Sequence, residues 1–214
     1  MIKAVIFDMD GTLIDTEKYY RIFWPKAFAA FGLTLTDEQA LELRSLGKPF
    51  FEQRMRKWFG EGVDFEAVRR KRRELMEPYV NEMGIECKPG AVELLTELKE
   101  RGIVTAIATA TNLEQTKRYL AKVGLEGFFD RIISAHQVER GKPAPDVYRY
   151  ACEELGLEPG ECIAVEDSPN GVRSAYEAGC NVVMVPDQTQ PDGELEKCLY
   201  ACFENLRGIA SLNL

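Results

Sequence analysis

Residues that bind transition metals are scarce in this sequence of 214 residues. It has one histidine, His136, and six cysteines, which form no CxxC pair and do not lie at ligand spacing from the histidine. This pattern excludes the common zinc sites, which combine cysteine and histidine at short spacings. A chain of this length does not need disulfides, so we expect reduced thiols, with Cys162 and Cys180 as small core residues of a cytoplasmic protein.

Long apolar runs and an excess of positive charge are also missing. No stretch approaches the roughly 20 apolar residues of a membrane-spanning helix, and no apolar signal segment precedes the first predicted strand, so we expect no membrane partner. Acidic residues outnumber basic ones by 35 to 27, which gives a net charge of −8. This charge argues against non-specific nucleic-acid binding, and an anionic substrate would require local basic residues.

The strongest local signal lies within the first fifteen residues. Ala4–Phe7 is a short apolar run, typical of a strand buried on both faces of a parallel sheet, and Asp8, Asp10 and Gly11 follow it. Open α/β sheets bind ligands at the carboxyl ends of their strands. Two neighbouring carboxylates repel each other unless a cation or a proton lies between them, and Mg²⁺ is the hard cation that oxygen ligands favour. Taken alone, this segment also fits an ordinary Asp-rich turn.

The next segment, from Thr16 to about Glu86, shows only helical patterns. We predict a kink or a fresh helix start at Pro25, because proline cannot donate the hydrogen bond of a helix interior, and a loop at Ser45–Pro49. The sequence therefore divides into a core domain, residues 1–15 and 87–214, and a helical domain inserted after the first strand, here named the cap domain, residues 16–86.

A run of basic residues, Arg69–Arg73, lies within the last predicted helix of this insert. It could attract phosphate or nucleic acid, or it could be the solvent-exposed face of an amphipathic helix, balanced by nearby glutamates. Because the chain as a whole is acidic, we interpret the run as a solvent-exposed face.

After residue 87, strand and helix patterns alternate. The predicted strands are Ile103–Ala108, Arg131–Ser134, Ile163–Val165 and Val182–Val185, with helices between them. This alternation predicts an α/β fold, a Rossmann-like parallel sheet with right-handed crossovers and helices on both faces, to which the all-helical cap is added. Residues 194–214 fit either a helix or a short edge strand.

Polar residues follow several of these strands. Thr109 ends one strand, Lys142 lies in a proline-stiffened loop, and Glu166-Asp167 ends another strand. Each has an ordinary structural explanation alone, as a helix cap, a solvated charge or a partner of a helix dipole. Their joint occurrence at the carboxyl edge of one sheet favours a functional site.

Together these segments resemble the haloacid dehalogenase-like superfamily of phosphotransferases, over the whole chain. Asp8-Met9-Asp10-Gly11-Thr12 resembles its first motif, Thr109 its second, Lys142 its third and Glu166-Asp167 its fourth. The position of the helical insert is similar to that in the subgroup of β-phosphoglucomutase and many small-metabolite phosphatases.

The resemblance implies a role for each of these residues. Asp8 would attack phosphorus and become a phosphoaspartate, Asp10 would act as general acid and base, and Thr109 and Lys142 would stabilise the phosphoryl group. Mg²⁺ would be held by Asp8, the main-chain carbonyl of Asp10 and Asp167, with Glu166 orienting a metal-bound water. The implied substrate contacts are Gly11, Thr12, Ala110, Thr111, Asn112 and Lys48.

The resemblance leaves the reaction open between hydrolysis and transfer to a second hydroxyl. Relatives that act as β-phosphoglucomutase carry a histidine where this sequence has Tyr20, and a cap-loop arginine where it has Lys48. Both departures favour a Mg²⁺-dependent phosphatase that hydrolyses a small phosphorylated metabolite such as a sugar phosphate. The alternatives are a phosphosugar mutase and a non-catalytic regulator that binds a phosphometabolite. We expect the protein to be a monomer. No motif assigns a catalytic role to His136.

Overall fold

A parallel sheet of six strands forms the centre of the molecule. The structure, a computed structural model, describes residues 1–212. The strands are β1 (Ala4–Phe7), β2 (Val104–Thr109), β3 (Arg131–Ser134), β4 (Cys162–Glu166), β5 (Asn181–Met184) and β6 (Ala201–Cys202). Their order in the sheet is β3-β2-β1-β4-β5-β6, and every neighbouring pair is parallel. The predicted parallel sheet is confirmed, with strand ends within a residue or two of those expected.

Four helices form the insert that follows β1 in the chain. They are α1 (Glu17–Ala29), α2 (Asp37–Glu42), α3 (Phe50–Phe59) and α4 (Phe65–Met83). Thr36 begins α2 with a capping box that it forms with Gln39. Of the two alternatives predicted at Pro25, the fresh helix start is wrong, because α1 runs through this residue as one helix, and the kink stays a prediction. Packing of the aromatic face of α1, which includes Phe23 and Trp24, compensates for the hydrogen bond that proline cannot donate.

The remaining helices alternate with the strands. They are α5 (Ala91–Glu100), α6 (Leu113–Lys122), α7 (Asp146–Leu155), α8 (Pro169–Ala178) and the short α9 (Gly193–Glu196). Successive side chains of a strand point to opposite faces of the sheet. Val5 and Phe7 of β1 accordingly pack in the apolar cluster that contains α5 and α6, whereas Ala4 and Ile6 pack in the one that contains α7 and α8. The expected helices on both faces are therefore present.

The C-terminal segment contains both of the structures that the sequence left open. A short helix, α9, precedes β6, which pairs with β5 at the edge of the sheet, and a 3₁₀ helix follows at Leu206–Ser211. Residues 213 and 214 lie outside the described residues. Cys162 and Cys180 are buried core residues, as predicted. Among residues 1–212, no helix is both long and apolar enough to cross a bilayer.

Two short chain segments connect the helical insert to the sheet. One precedes α1 and the other follows Gly84, which ends α4 in the left-handed region with a φ of 82°. The segments lie side by side, since the Asp15 N–H donates to the carbonyl of Glu86 and the Lys88 N–H donates to that of Leu13. The insert thus has two adjacent connections to the rest of the molecule.

Candidate active site

Three carboxylates converge at the carboxyl edge of the sheet. Asp8 follows β1, Glu166 ends β4 and Asp167 follows it, and β1 and β4 are neighbours. One ligand oxygen of each residue lies within 4.8 Å of the others, and all three residues are buried. A buried all-oxygen set of this kind fits a hard divalent cation, which compensates repulsion among the carboxylates.

Lys142 neutralises part of this charge. Its side chain is 0% exposed, and its Nζ lies 2.5 Å from Asp8 Oδ1 and 2.6 Å from Glu166 Oε1. The Tyr148 hydroxyl donates to the same Glu166 oxygen at 2.7 Å. Burial alone would lower the pKa of Lys142, but the carboxylates of Asp8 and Glu166 raise it above its usual value. Lys142 is therefore a fixed cation beside the predicted nucleophile.

Asp10 occupies a different environment from Asp8. One of its carboxyl oxygens accepts from the Thr16 hydroxyl at 2.6 Å, and the other accepts from the Thr111 hydroxyl at 2.7 Å. Burial raises the pKa of Asp10, although both hydroxyls oppose this shift. A raised pKa brings a carboxyl group closer to the range in which it can both donate a proton and take one back.

A cavity of about 390 Å³ opens above these groups, between the sheet edge and the helical insert. Asp8 and Asp10 line it from the core, together with residues 109–112, which end β2 and begin α6. Arg44, Lys48, Arg69, Arg72 and Arg73 line it from the insert. The local basic residues that an anionic substrate would require are thus present despite the negative net charge.

Comparison with known proteins identifies the family. A family model described as haloacid dehalogenase-like hydrolase matches residues 2–179, which is most of the chain. The chain belongs to the haloacid dehalogenase-like hydrolases. Protein CbbY of Cereibacter sphaeroides is 33% identical over 225 residues, covering 100% of this chain and 98% of CbbY. Hexitol phosphatase A of Escherichia coli strain K12 is 33% identical, covering 93% of this chain and 91% of that enzyme.

A solved structure supports the same assignment. The crystal structure of a CbbY mutant from Rhodobacter sphaeroides, in complex with xylulose-(1,5)bisphosphate, matches with a TM-score of 0.81 and 28% identity, covering 100% of this chain and 97% of that chain. These matches confirm the predicted small-metabolite phosphatase subgroup and the α/β fold. They also confirm that this haloacid dehalogenase-like hydrolase is a phosphoric monoester hydrolase.

The predicted substrate-binding residues of the hydrolase fall into two groups. Ala110, Thr111, Asn112 and Lys48 line the cavity. Asn112 also caps α6, since its Oδ1 accepts from the Gln115 N–H at 2.9 Å. Thr109 lines the cavity too, and its hydroxyl oxygen accepts from the Thr111 N–H at 3.1 Å.

The second group consists of Gly11 and Thr12, which are not among the described residues that line the cavity. The Thr12 hydroxyl donates instead to Asp167 Oδ1, at 3.3 Å. Gly11 has a φ of 85°, and a Cβ there would overlap the Asp167 carboxylate. Both residues therefore contact the carboxylate cluster, and a role in substrate binding stays a prediction.

The interpretation of Arg69–Arg73 as a solvent-exposed face is wrong for Arg69 and Arg72. These two residues lie three apart, on one face of α4, and that face points into the cavity. The Arg72 guanidinium carbon lies 4.5 Å and 4.6 Å from the ring centroids of Tyr20 and Trp24, respectively. Five consecutive basic residues point in all directions around a helix, so composition could not reveal which of them are enclosed.

Arg44 was missed by the sequence analysis. It follows α2, is 5% exposed, and donates through Nη2 to the carboxylate of Asp167. No motif contains Arg44, and its only signal in the sequence is its position next to the predicted loop at Ser45–Pro49. The predicted cap-loop residue Lys48 is instead half exposed and pairs with Glu66, at 3.1 Å. His136 lies at the cavity as well, and no catalytic role is assigned to it.

Proposed function

We propose that the protein is a Mg²⁺-dependent phosphatase that hydrolyses a sugar phosphate through a phosphoaspartate on Asp8. The observation that carries this proposal is that Asp8 and Asp10 line a cavity with basic residues on its opposite wall, while Lys142 and Asp167 are buried beside Asp8. The chain's own residues supply a nucleophile, a proton donor and a fixed cation, which phosphoryl transfer requires.

The two chemical steps use the same pair of carboxyl groups. In the first, an Asp8 oxygen bonds to phosphorus, the bond between phosphorus and the sugar oxygen breaks, and Asp10 protonates that oxygen. In the second, Asp10 takes a proton from water, the water oxygen bonds to phosphorus, and the bond to Asp8 breaks. The raised pKa of Asp10 supports both of its tasks. Lys142 and the Thr109 hydroxyl would stabilise the negative charge on the phosphoryl oxygens.

The carboxylate cluster supports the assignment of Mg²⁺. Asp8, Asp167 and the main-chain carbonyl of Asp10 would hold the ion. Glu166 would orient a water molecule bound to the ion and would not bind the ion directly, because Glu166 Oε1 already accepts hydrogen bonds from Lys142 and Tyr148. When bound, the ion would neutralise charge on the phosphoryl group and on the carboxylates around it.

The helical insert would act as the cap domain, residues 16–86, above a core of residues 1–15 and 87–214. Its two adjacent connections support a hinge, and its side chains complete the cavity wall. Closure of such a cap would keep bulk water away from the phosphoaspartate.

The substrate class follows from the insert side of the cavity. The Arg72 side chain is stacked on two aromatic rings, and its Nε is buried without a hydrogen-bond partner. Burying such a donor unpaired is costly, so a ligand oxygen there would be favourable. A phosphorylated sugar with an anionic or hydroxyl-rich distal end fits this arrangement, as do the activities named for hexitol phosphatase A and the ligand of the CbbY structure.

Tyr20 supports hydrolysis over the mutase alternative. It is buried under the Arg72 guanidinium, and burial raises the pKa of its hydroxyl well above the usual value. A phenol of this kind is a poor proton carrier near neutral pH, in contrast to the histidine of the mutase relatives.

The test is a turnover screen of hexose phosphates, hexitol phosphates, pentulose bisphosphates and nucleotides, with Mg²⁺ and with EDTA. We expect release of inorganic phosphate from a phosphosugar that depends on Mg²⁺. Rapid quenching with labelled substrate should trap an acyl phosphate that hydroxylamine cleaves and that the Asp8→Asn variant lacks. Conversion of β-glucose 1-phosphate to glucose 6-phosphate, primed by a bisphosphate, would favour the mutase. The absence of turnover throughout would favour the regulator.

A further inference from the structure

Arg44 connects the helical insert to a carboxylate of the catalytic edge. Its Nη2 donates to the Asp167 carboxylate and, at 3.3 Å, to the Asp167 main-chain carbonyl. Its Nη1 donates to the Thr189 hydroxyl at 3.1 Å. Two more carboxylates face the same guanidinium, Glu17 at 3.6 Å and Asp187 at 3.8 Å. One buried cation from the insert therefore balances three acidic residues.

The contact is reciprocal. The Asn170 side chain, which belongs to the first turn of α8, donates to the main-chain carbonyls of Arg44, at 2.9 Å, and of Glu42, at 3.2 Å. The insert thus binds the Asp167 segment through the side chain of Arg44, and the segment binds the insert through Asn170. Together these bonds hold Leu43–Pro49, here named the docking loop, against the core.

The docking loop also contacts the Lys142 segment. The Gly47 N–H donates to the carbonyl of Lys142 at 2.8 Å, and the Gly141 N–H donates to the carbonyl of Lys48 at 2.6 Å. A Cβ built on Gly47 would lie 2.6 Å from the Gly141 Cα, so only glycine fits this approach. These two amide hydrogens provide direct probes of whether the insert is docked.

The charges of Arg44 and of a divalent cation compete for the same carboxylate. Both Asp167 oxygens already accept hydrogen bonds, one from Thr12 and the other from Arg44. A cation that binds Asp167 must take the oxygen that accepts from Thr12 or the one that accepts from Arg44. In either case it lies on the same carboxylate as the guanidinium, and the two positive charges repel each other at short range. Any ligand that weakens the Arg44 contact must also weaken docking, because binding equilibria are reciprocally linked.

We propose that Arg44 is a positioning residue that couples docking of the helical insert to divalent-cation binding at Asp167, with each opposing the other. Cation binding loosens the docking loop, and docking lowers the affinity for the cation. This inference rests on the proposed Mg²⁺ site, and it assigns to the insert a regulatory contact that is independent of the substrate.

Mg²⁺ titration by calorimetry tests the first half of this coupling. Arg44→Leu should lower the Kd for Mg²⁺ at least about fivefold, the lower range of typical allosteric coupling, because it removes the competing charge. Arg44→Lys, which keeps the charge, should stay near the wild-type value. Arg54→Leu is the matched control, since it removes an exposed charge of the insert that pairs with Glu42. Its Kd should be unchanged.

Hydrogen exchange of the wild-type protein tests the second half without any substitution at Arg44. Mg²⁺ should speed exchange of the Gly47 and Gly141 amides, and it should not do so in Asp167→Asn. Slower or unchanged exchange on adding Mg²⁺ would overturn the coupling, as would an unchanged or raised Kd in Arg44→Leu.

The same measurements separate this inference from the proposed function. If Asp167→Asn binds Mg²⁺ like the wild type, the proposed metal site is wrong. If Asp167 is required for binding but the Arg44 variants and the amide exchange do not respond, the site stands and only the coupling fails. A KM increase in Arg44→Leu with an unchanged Mg²⁺ Kd would make Arg44 a substrate contact instead.

Discussion

The two walls of the cavity are held in place in different ways. On the core wall, Lys142 is completely buried and lies within hydrogen-bond distance of two carboxylates. On the insert wall, the Lys48 side chain is 52% exposed, and its partner Glu66 is equally exposed. The Arg72 guanidinium lies between these extremes, stacked on aromatic rings with its Nε unpaired.

From this difference we propose that the core wall carries the chemistry and that the insert wall selects the substrate. Buried, fully paired charges cost much to rearrange, so the core wall keeps the reacting groups in one geometry. Exposed ion pairs contribute little to stability and exchange partners easily, so Lys48 on the insert wall can leave Glu66 and bind a ligand. Substitutions on the two walls should therefore affect turnover and substrate affinity to different extents.

The largest effect is expected from Asp8→Asn on the core wall. The amide cannot form an acyl phosphate, so kcat should fall at least about a thousandfold. Asparagine keeps the size of the side chain, and Lys142 keeps Glu166 as a partner, so the fold should be preserved. Phosphate release and circular dichroism measure the two outcomes. Activity within tenfold of the wild type would contradict the nucleophile assignment.

Lys142→Met should reduce both stability and turnover. Removing the buried cation leaves Asp8 and Glu166 without their shared partner, which should cost about 3 kcal/mol of unfolding free energy. Urea denaturation measures this loss. Arg140→Met serves as the control, because Arg140 pairs with Asp146 at the surface and its removal should cost less than about 1 kcal/mol. Equal losses in the two variants would remove the distinction between buried and exposed pairs.

Arg72→Leu should act on substrate affinity more than on chemistry. Loss of a charged hydrogen bond to the substrate should raise KM about 10-fold to 100-fold, with a smaller change in kcat. Arg70, which lies on the exposed side of the same helix, provides the control. Steady-state kinetics on the best substrate compare the two variants. If Arg70→Leu raises KM as much as Arg72→Leu, the cavity face of α4 does not select the substrate.

The smallest effect is expected from Lys48→Ala. Its ammonium is partly exposed and already paired with Glu66, so kcat/KM should fall only about twofold to tenfold. The Mg²⁺ affinity should not change, because Lys48 does not contact the carboxylate cluster. Kinetics and Mg²⁺ titration check both statements. No change on the best substrate would show that Lys48 takes no part in selection.

The sequence by itself determined the fold class and the core wall of the cavity. Asp8, Thr109 and Glu166-Asp167 each stand at the end of a short apolar strand, so their convergence follows from strand order and direction. A buried strand carries this information locally, in its composition and in the residues that follow it.

Only the tertiary structure decided the insert wall. Arg69 and Arg72 reach the cavity because of the rotation of α4 about its axis, and Arg44 reaches Asp167 because the docking loop meets the core. A helix face that is exposed to solvent and a helix face that lines a cavity can have the same amino-acid composition. The face that α4 turns towards the cavity depends on how α4 packs on α1. The position of Arg44 depends on its contact with Asp167, a residue more than a hundred positions away in the sequence. Local propensity and motif spacing contain no information about such contacts.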